Sequence, residues 1–306
     1  MLALLFPGQG TQHETTLPWL DGRAEAASTL QQLSDILGHD WRARLSDTPW
    51  AMANRTAQPL ITGLSIAAWQ CLVDKLPPPS VVAGYSVGEL AAFCAAGVIA
   101  PSAGLSLSCE RAAVMDADTA GRPMGLLAVH GIRPTRLTTL CHSHGLSIAI
   151  RLAHDNYILG GPASSLEVAA SELRDLGLRV TRLAICVASH TPWMAEAAAK
   201  LAKRLEAMPF SPPVARVVCN LTASAVISID DLQRCLAAQI ANPILWDACM
   251  DTIVERGVRC VLEVGPGTTL AALWRTAHPD IPVRSVEDFR APEAAAAWVA
   301  RTLAAA

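Results

Sequence analysis

The chain is poor in charge and in aromatic side chains: charged residues fill 17% of its 306 positions and aromatics 5%, against 52% hydrophobic. That balance excludes wholesale disorder and calls for a sizeable core. A chain of this length buries such a core as one large domain, or as a large one with a smaller insert. The net charge of −3 excludes a general affinity for nucleic acid or an anionic membrane, and no basic-aromatic, helicase-like or zinc-finger stretch occurs. The nine cysteines are scattered, odd in number and without a Cys-x-x-Cys pair. They read as reduced, mostly buried thiols of a cytoplasmic protein rather than a disulfide framework. The apolar start, Met1–Phe6, lacks a basic flank and breaks at Pro7-Gly8. It is too short for a signal peptide or a membrane span and reads as a buried first strand. Cys141-His142-Ser143-His144 has no matching Cys/His pair elsewhere, so it reads as a polar helix end and no metal is expected. Gly265-Pro266-Gly267 lacks the Lys-Ser/Thr of a phosphate-binding loop and reads as a plain turn.

What is present is organised around Val81–Leu90. An apolar run ends in Gly84-Tyr85-Ser86-Val87-Gly88, and an Ala/Leu-rich helical pattern follows at once. Strand, sharp turn and helix are the context of a nucleophile elbow, with Ser86 at the helix N-terminus where free N–H groups favour developing negative charge. A serine that only caps the helix is the plain alternative. Before the elbow come the loop Phe6-Pro7-Gly8-Gln9-Gly10-Thr11-Gln12 and helix-period segments at 23–37 and 59–76; the second carries Leu60, Leu64, Ala67, Ala68, Cys71 and Leu72. This order predicts an α/β fold with a parallel sheet.

From about 122 to 187 the pattern changes. Strands are expected at 125–130, twice within 146–160 and at 178–187, with helices at 134–143 and 163–176. That β-α-β-β-α-β order is the ferredoxin-like module. It divides the chain into a large hydrolase-like α/β domain, 1–121 with 188–306, and an inserted subdomain, 122–187. The large part resumes with helices at 193–207, 231–240 and 245–256 and strands at 215–220 and 258–264.

A serine nucleophile needs a base, and the base needs an acceptor on its other nitrogen. Of the eight histidines, His190 is best placed, after an apolar strand and before Thr191-Pro192 at a helix start. Arg111 stands on the otherwise apolar helix 105–115, one turn from Met115. It is either a surface cation paired with Glu110 or Asp116, or a guanidinium fork for a substrate carboxylate.

Five motifs, in order along the chain, resemble one family: Phe6–Gln12, Gly84–Glu89, Arg111 with Met115, Ala188-Ser189-His190, and Glu263–Gly267. Gln239 with Asn242-Pro243 and Trp246 resembles a sixth. The family is that of the malonyl-CoA:acyl-carrier-protein transacylases, and the likeness spans essentially the whole chain. Within it, Thr11, Leu17-Pro18 and Tyr85 are most similar to the transacylase (epsilon) subunit of malonate decarboxylase. The resemblance implies a Ser86–His190 dyad with a main-chain carbonyl near Gln239 behind the histidine. It also implies an oxyanion hole from the amides of Gln9 and Val87, and Arg111, with Met115, at the malonyl group. The substrates implied are malonyl-CoA and the phosphopantetheine-type thiol of an acyl carrier protein, either the malonate decarboxylase carrier subunit or that of fatty-acid synthesis, with no tightly bound cofactor. Two departures stand out. Tyr85 replaces the usual histidine before the nucleophile, and 150–156 lacks the Asn-x-Asn pattern of many members. A serine hydrolase, with its acid at Asp230, Asp231 or Asp247, and a non-catalytic acyl-binding scaffold are the readings from other classes.

Overall fold

The computed structural model describes residues 1–305. Strand β1 (Leu2–Phe6) is followed by helices α1 (Ala27–Leu37), α2 (Thr48–Met52) and α3 (Asn54–Leu72), then β2 (Val81–Gly84), α4 (Gly88–Ala95) and α5 (Pro101–Asp118). Next come β3 (Met124–His130), α6 (Pro134–His144), β4 (Ser147–Ala153), β5 (Asn156–Pro162), α7 (Ala163–Asp175) and β6 (Arg179–Arg182). The chain continues through α8 (Ala195–Glu206), β7 (Arg216–Val218), β8 (Ala225–Val226), α9 (Ile229–Ala238), β9 (Ile244–Leu245) and α10 (Trp246–Glu255). It closes with β10 (Cys260–Glu263), α11 (Thr269–Ala277), β11 (Val283–Ser285) and α12 (Pro292–Ala305).

Two sheets result, with strand orders β11-β10-β1-β2-β7-β8 and β6-β3-β5-β4-β9. The first is parallel except for β8, which runs antiparallel to β7. Its central strands β1 and β2 are apolar throughout because both faces are covered. Leu2, Leu4 and Phe6 of β1 join Val82 and Leu262 in the core on one side. Ala3 and Leu5 join Val81, Ala83 and Val261 on the other. In the second sheet, β6, β3, β5 and β4 have the strand order and antiparallel pairing of a ferredoxin-like module. Leu127, Val129 and Leu159 face α6 and α7 in a separate core, while Leu126, Ala128 and Ile158 face the large sheet.

The structure differs from the pattern reading in two respects. The strand expected over 178–187 ends at Arg182, and Leu183, Ile185 and Val187 instead line a cavity. Three short strands, β8, β9 and β11, carry no period long enough to register in a sequence. One of them, β9, pairs parallel to β4 and so ties the second sheet to the 188–305 portion. Among the described residues no helix is long and apolar enough to cross a membrane.

Candidate active site

Strands β1 and β2 end side by side, and the loops that leave them build the site. The two glycines of the elbow are dictated by close approach. A Cβ on Gly84 would lie 2.1 Å from the carbonyl carbon of Gly88, and one on Gly88 would lie 2.3 Å from the Phe6 carbonyl oxygen. With no side chains there, α4 starts directly against the strand ends. Ser86 turns the corner with φ +56°, a conformation that non-glycine residues rarely adopt and that functional sites retain.

Ser86 Oγ lies 2.8 Å from His190 Nε2, and His190 Nδ1 lies 2.7 Å from the Gln239 carbonyl oxygen. A carbonyl can only accept, so Nδ1 carries the proton and the Nε2 lone pair faces the serine hydroxyl. His190 is held by its own amide, which donates to the Ile240 carbonyl at 2.7 Å, and by a φ of +64°. It is 1% exposed. Burial, and next the Arg111 charge, push its pKa down to about 3, against the opposing pull of the Gln239 carbonyl. The ring is therefore neutral at ordinary pH. Gln239, the residue after α9, also donates through Nε2 to the Ser86 carbonyl at 3.1 Å.

Arg111 on α5 is buried, and its surroundings decide between its two readings. Glu110 pairs with Arg204 at 2.6 Å, and Asp116 accepts from Asn54 at 3.0 Å, so neither supplies the counter-charge. Arg111 instead donates from Nη1 to Gln58 Oε1 at 2.7 Å and from Nη2 to Ser86 Oγ at 3.4 Å. Its Nε has no partner among the described residues. Burial lowers its pKa to about 10, which still leaves it a cation. Met115, one turn on, packs beside Gln58, whose Nε2 is 3.5 Å from its sulfur.

These groups open on a cavity of about 60 Å³, bounded on the polar side by Gln9, Gln58, Ser86, Arg111, Ser189 and His190. Its opposite wall is apolar: Leu126, Ile150 and Ile158 of the second sheet, with Leu183, Ile185 and Val187. The Gln9 side chain is anchored to the Met52 carbonyl at 2.9 Å. The amides of Ser86, Gly88 and Glu89 are engaged, by Asn220 Oδ1 and the carbonyls of Tyr85 and Ser86. Among the described residues no hydrogen bond engages the Val87 amide, at the start of α4. Tyr85 packs edge-on to Trp246, with ring centroids 5.2 Å apart at 87°, and forms part of the cavity wall.

Among the described residues no acid stands behind His190. Asp230 and Asp231 lie in the first turn of α9, and Asp247 pairs with Arg151 at 2.7 Å. His144 of the Cys-His-Ser-His run bonds Glu172 at 2.8 Å. Among the described residues no cluster of metal-ligating side chains forms. The sequence reading missed Gln58 and Asn220. Gln58 shares a polar stripe of the buried helix α3 with Asn54 and Thr62, and Asn220 is polar at a strand end. Both are weak signals, common in proteins without a site. Glu89 was visible only as the last residue of the elbow motif. It is wholly buried, and burial pushes its carboxyl up to about 8 against the pull of the Asn220 amide.

Comparison with known proteins covers nearly the whole chain. The acyl transferase domain family matches residues 4–296. A malonyl CoA-acyl carrier protein transacylase of Mycobacterium tuberculosis is 31% identical over 296 residues, covering 94% of this chain and 96% of that one. One from Haemophilus influenzae is 28% identical over the same length. An acyl-carrier-protein S-malonyltransferase of Burkholderia pseudomallei superposes with a TM-score of 0.88 at 27% identity, covering 97% of this chain and 99% of that one. A malonyl-transacylase solved with its type II polyketide-synthase acyl-carrier protein gives a TM-score of 0.89 at 27% identity, covering 97% and 98% of the two chains. With a hydroxyl–imidazole pair at the turn after β2 and this agreement from end to end, the chain belongs to the acyl transferase family, alongside the malonyl-CoA:acyl-carrier-protein transacylases.

Proposed function

We propose that this acyltransferase moves a malonyl group from malonyl-CoA to the phosphopantetheine-type thiol of an acyl carrier protein, through a malonyl ester on Ser86. The observation that carries the reading is Arg111, a buried cation 3.4 Å from the nucleophile with no carboxylate in contact among the described residues. A neutral acyl group offers such a cation no counter-charge. A malonyl carboxylate supplies its missing counter-charge.

In the first half-reaction Ser86 Oγ attacks the thioester carbonyl while its proton passes to His190 Nε2. The oxyanion that forms is received by the amides of Val87 and Gln9, donors already oriented before the reaction. The imidazolium is stabilised by its Nδ1–H bond to the Gln239 carbonyl, in the place an acid takes in a triad. Collapse of the intermediate expels the coenzyme A sulfur, which takes the proton from His190. The carrier thiol then repeats the sequence in reverse, giving its proton to His190 and freeing Ser86. The malonyl carboxylate, once on Arg111, offsets the charge that depresses His190 and raises the basicity of that ring when it is needed. In this account 1–121 with 188–306 forms the catalytic body, and 122–187 is the subdomain that walls the acyl pocket. No tightly bound cofactor takes part, and the setting is cytoplasmic.

The names of the similar proteins favour the acyl carrier protein of fatty-acid or polyketide synthesis as acceptor. Thr11, Leu17-Pro18 and Tyr85 favour a second reading, transfer to the carrier subunit of malonate decarboxylase. The test mixes the enzyme briefly with malonyl-CoA, maps the adduct by mass, and then offers each carrier to the malonyl-enzyme. A malonyl adduct confined to Ser86 and discharged by a carrier thiol is expected, and its absence from Ser86 overturns the proposal. The faster carrier decides between the two acceptors. Discharge to water faster than to any thiol would instead make the protein a hydrolase.

A further inference from the structure

Strands β2 and β7 pair in parallel, with Val81 opposite Arg216, Val82 opposite Val217 and Ala83 opposite Val218. Two residues further, the same register sets Tyr85 opposite Asn220. In a parallel ladder a residue bonds the two neighbours of its opposite number, donating to the carbonyl before it and accepting from the amide after it. Here the backbone of Asn220 cannot do so. Its N–H goes to Glu89 Oε1 at 2.5 Å and its carbonyl accepts from Leu245 at 3.3 Å. The Asn220 carboxamide takes over both ladder bonds. Nδ2 donates to the Gly84 carbonyl at 2.6 Å, and Oδ1 accepts from the Ser86 amide at 2.8 Å. The orientation of that amide is fixed, because a carbonyl only accepts and an N–H only donates.

We propose that Asn220 is a positioning residue for the nucleophile, its side chain standing in for a peptide group so that the sheet continues through the elbow to Ser86. The inference rests on the acyl-transfer reading of Ser86. Asn220 is wholly buried and touches neither the cavity nor the base. It fixes the peptide planes on both sides of Tyr85 and thereby holds Ser86 at its positive φ. The Val87 amide, the next donor along the chain, then points at the developing oxyanion. Glu89 completes the arrangement from the other side: the first turn of α4 grips the end of β7 while the end of β7 grips the elbow.

The experiment compares wild type, Asn220→Ala and Asn220→Asp. Aspartate keeps the acceptor for the Ser86 amide and loses the donor to Gly84. Asn220→Ala is expected to lower kcat by about 100-fold, the order of loss when an oxyanion donor is misplaced. KM for malonyl-CoA should stay within about threefold, because Arg111 and the apolar wall are untouched, and Asn220→Asp should fall between. A folded Asn220→Ala enzyme with wild-type kcat, or one whose whole defect lies in KM, overturns the proposal. The rate of Ser86 labelling by a fluorophosphonate is measured in parallel. It probes the elbow without any malonyl donor, so a failure of the malonyl reading leaves this test intact. Should the variants not fold, hydrogen exchange on the wild-type protein decides. A Ser86 amide as protected as those inside β2 supports the clamp, and rapid exchange there removes it.

Discussion

Replacing Arg111 by alanine is the most informative single perturbation of this site. The guanidinium is 1% exposed, and its protein partners are neutral: Gln58 Oε1 at 2.7 Å and Ser86 Oγ at 3.4 Å. When a malonyl group is bound, the proposal gives Arg111 a carboxylate across a cavity of about 60 Å³ whose far wall is aliphatic. Removing one member of a buried ion pair costs about 3–5 kcal/mol, because the other charge is left without solvent or partner. At about 1.4 kcal/mol per decade, kcat/KM for malonyl-CoA should fall by roughly 100- to 3,000-fold. Acetyl-CoA has no such charge, so its kcat/KM should change by less than about tenfold. The assay is transfer from each thioester to one and the same carrier thiol. The protein itself should survive the change, since the unpaired Gln58 oxygen, costing about 1–3 kcal/mol, is set against relief from burying a cation. If both thioesters lose rate equally, Arg111 serves the serine rather than the carboxylate, and the clamp is refuted.

Further tests follow from the same geometry. His190 acts only while neutral, and burial with the Arg111 charge brings its pKa to about 3. The acid limb of kcat/KM in the free enzyme should therefore lie well below pH 6.5, the ordinary histidine value being about 6.5. In Arg111→Ala that limb should move upward, and a wild-type limb near pH 6.5 contradicts the assignment. The sign for stability is that of a depressed pKa. The unfolded chain takes up a proton that folded His190 refuses, so this group's contribution is lost as pH falls from about 6.5 toward 3, which melting curves with and without His190→Gln would resolve. Gly88→Ala drives a Cβ to 2.3 Å from the Phe6 carbonyl oxygen, a main-chain atom that cannot rotate aside. Overpacking of this kind costs about 1–3 kcal/mol or more. It should lower the Tm by several degrees and abolish Ser86 acylation; full activity in this variant would show that α4 need not start so close to β1. Gln58→Leu takes away the acceptor that aims Arg111, and should raise KM for malonyl-CoA by roughly 10- to 100-fold while kcat changes less, the loss of one hydrogen bond to a charged group being about 1.5–3 kcal/mol. An unchanged KM would mean that α5 alone positions the guanidinium.

The sequence by itself determined those features that depend on neighbours along the chain. Strand, Gly-x-Ser-x-Gly and helix specify the elbow because the close approach of Gly84 to Gly88, where β2 meets α4, is made within a few residues of Ser86. The βαββαβ order is legible because each element carries its own period, and Leu126 to Val129 alternate between two cores as that period requires. Short edge strands such as β9 and β11 leave no such trace. The strand anticipated through Val187 stops at Arg182, although 183–187 is apolar enough to continue it. There the side chains of Leu183, Ile185 and Val187 turn to the cavity. The partners of the charged groups were decided only by tertiary structure. On helix α5, Arg111 had Glu110 and Asp116 within reach along the chain. Folding sends Glu110 to Arg204 and Asp116 to Asn54, and leaves the guanidinium beside Ser86. Asn220 is separated from Ser86 by 134 residues and Gln239 by 153, and a long-range hydrogen bond leaves no periodicity in a sequence. A nucleophile can be read from its own turn. What surrounds it, Asn220 on its amide and His190 and Arg111 at its hydroxyl, comes from other strands, loops and helices, brought together because a parallel sheet opens its strand ends along one edge.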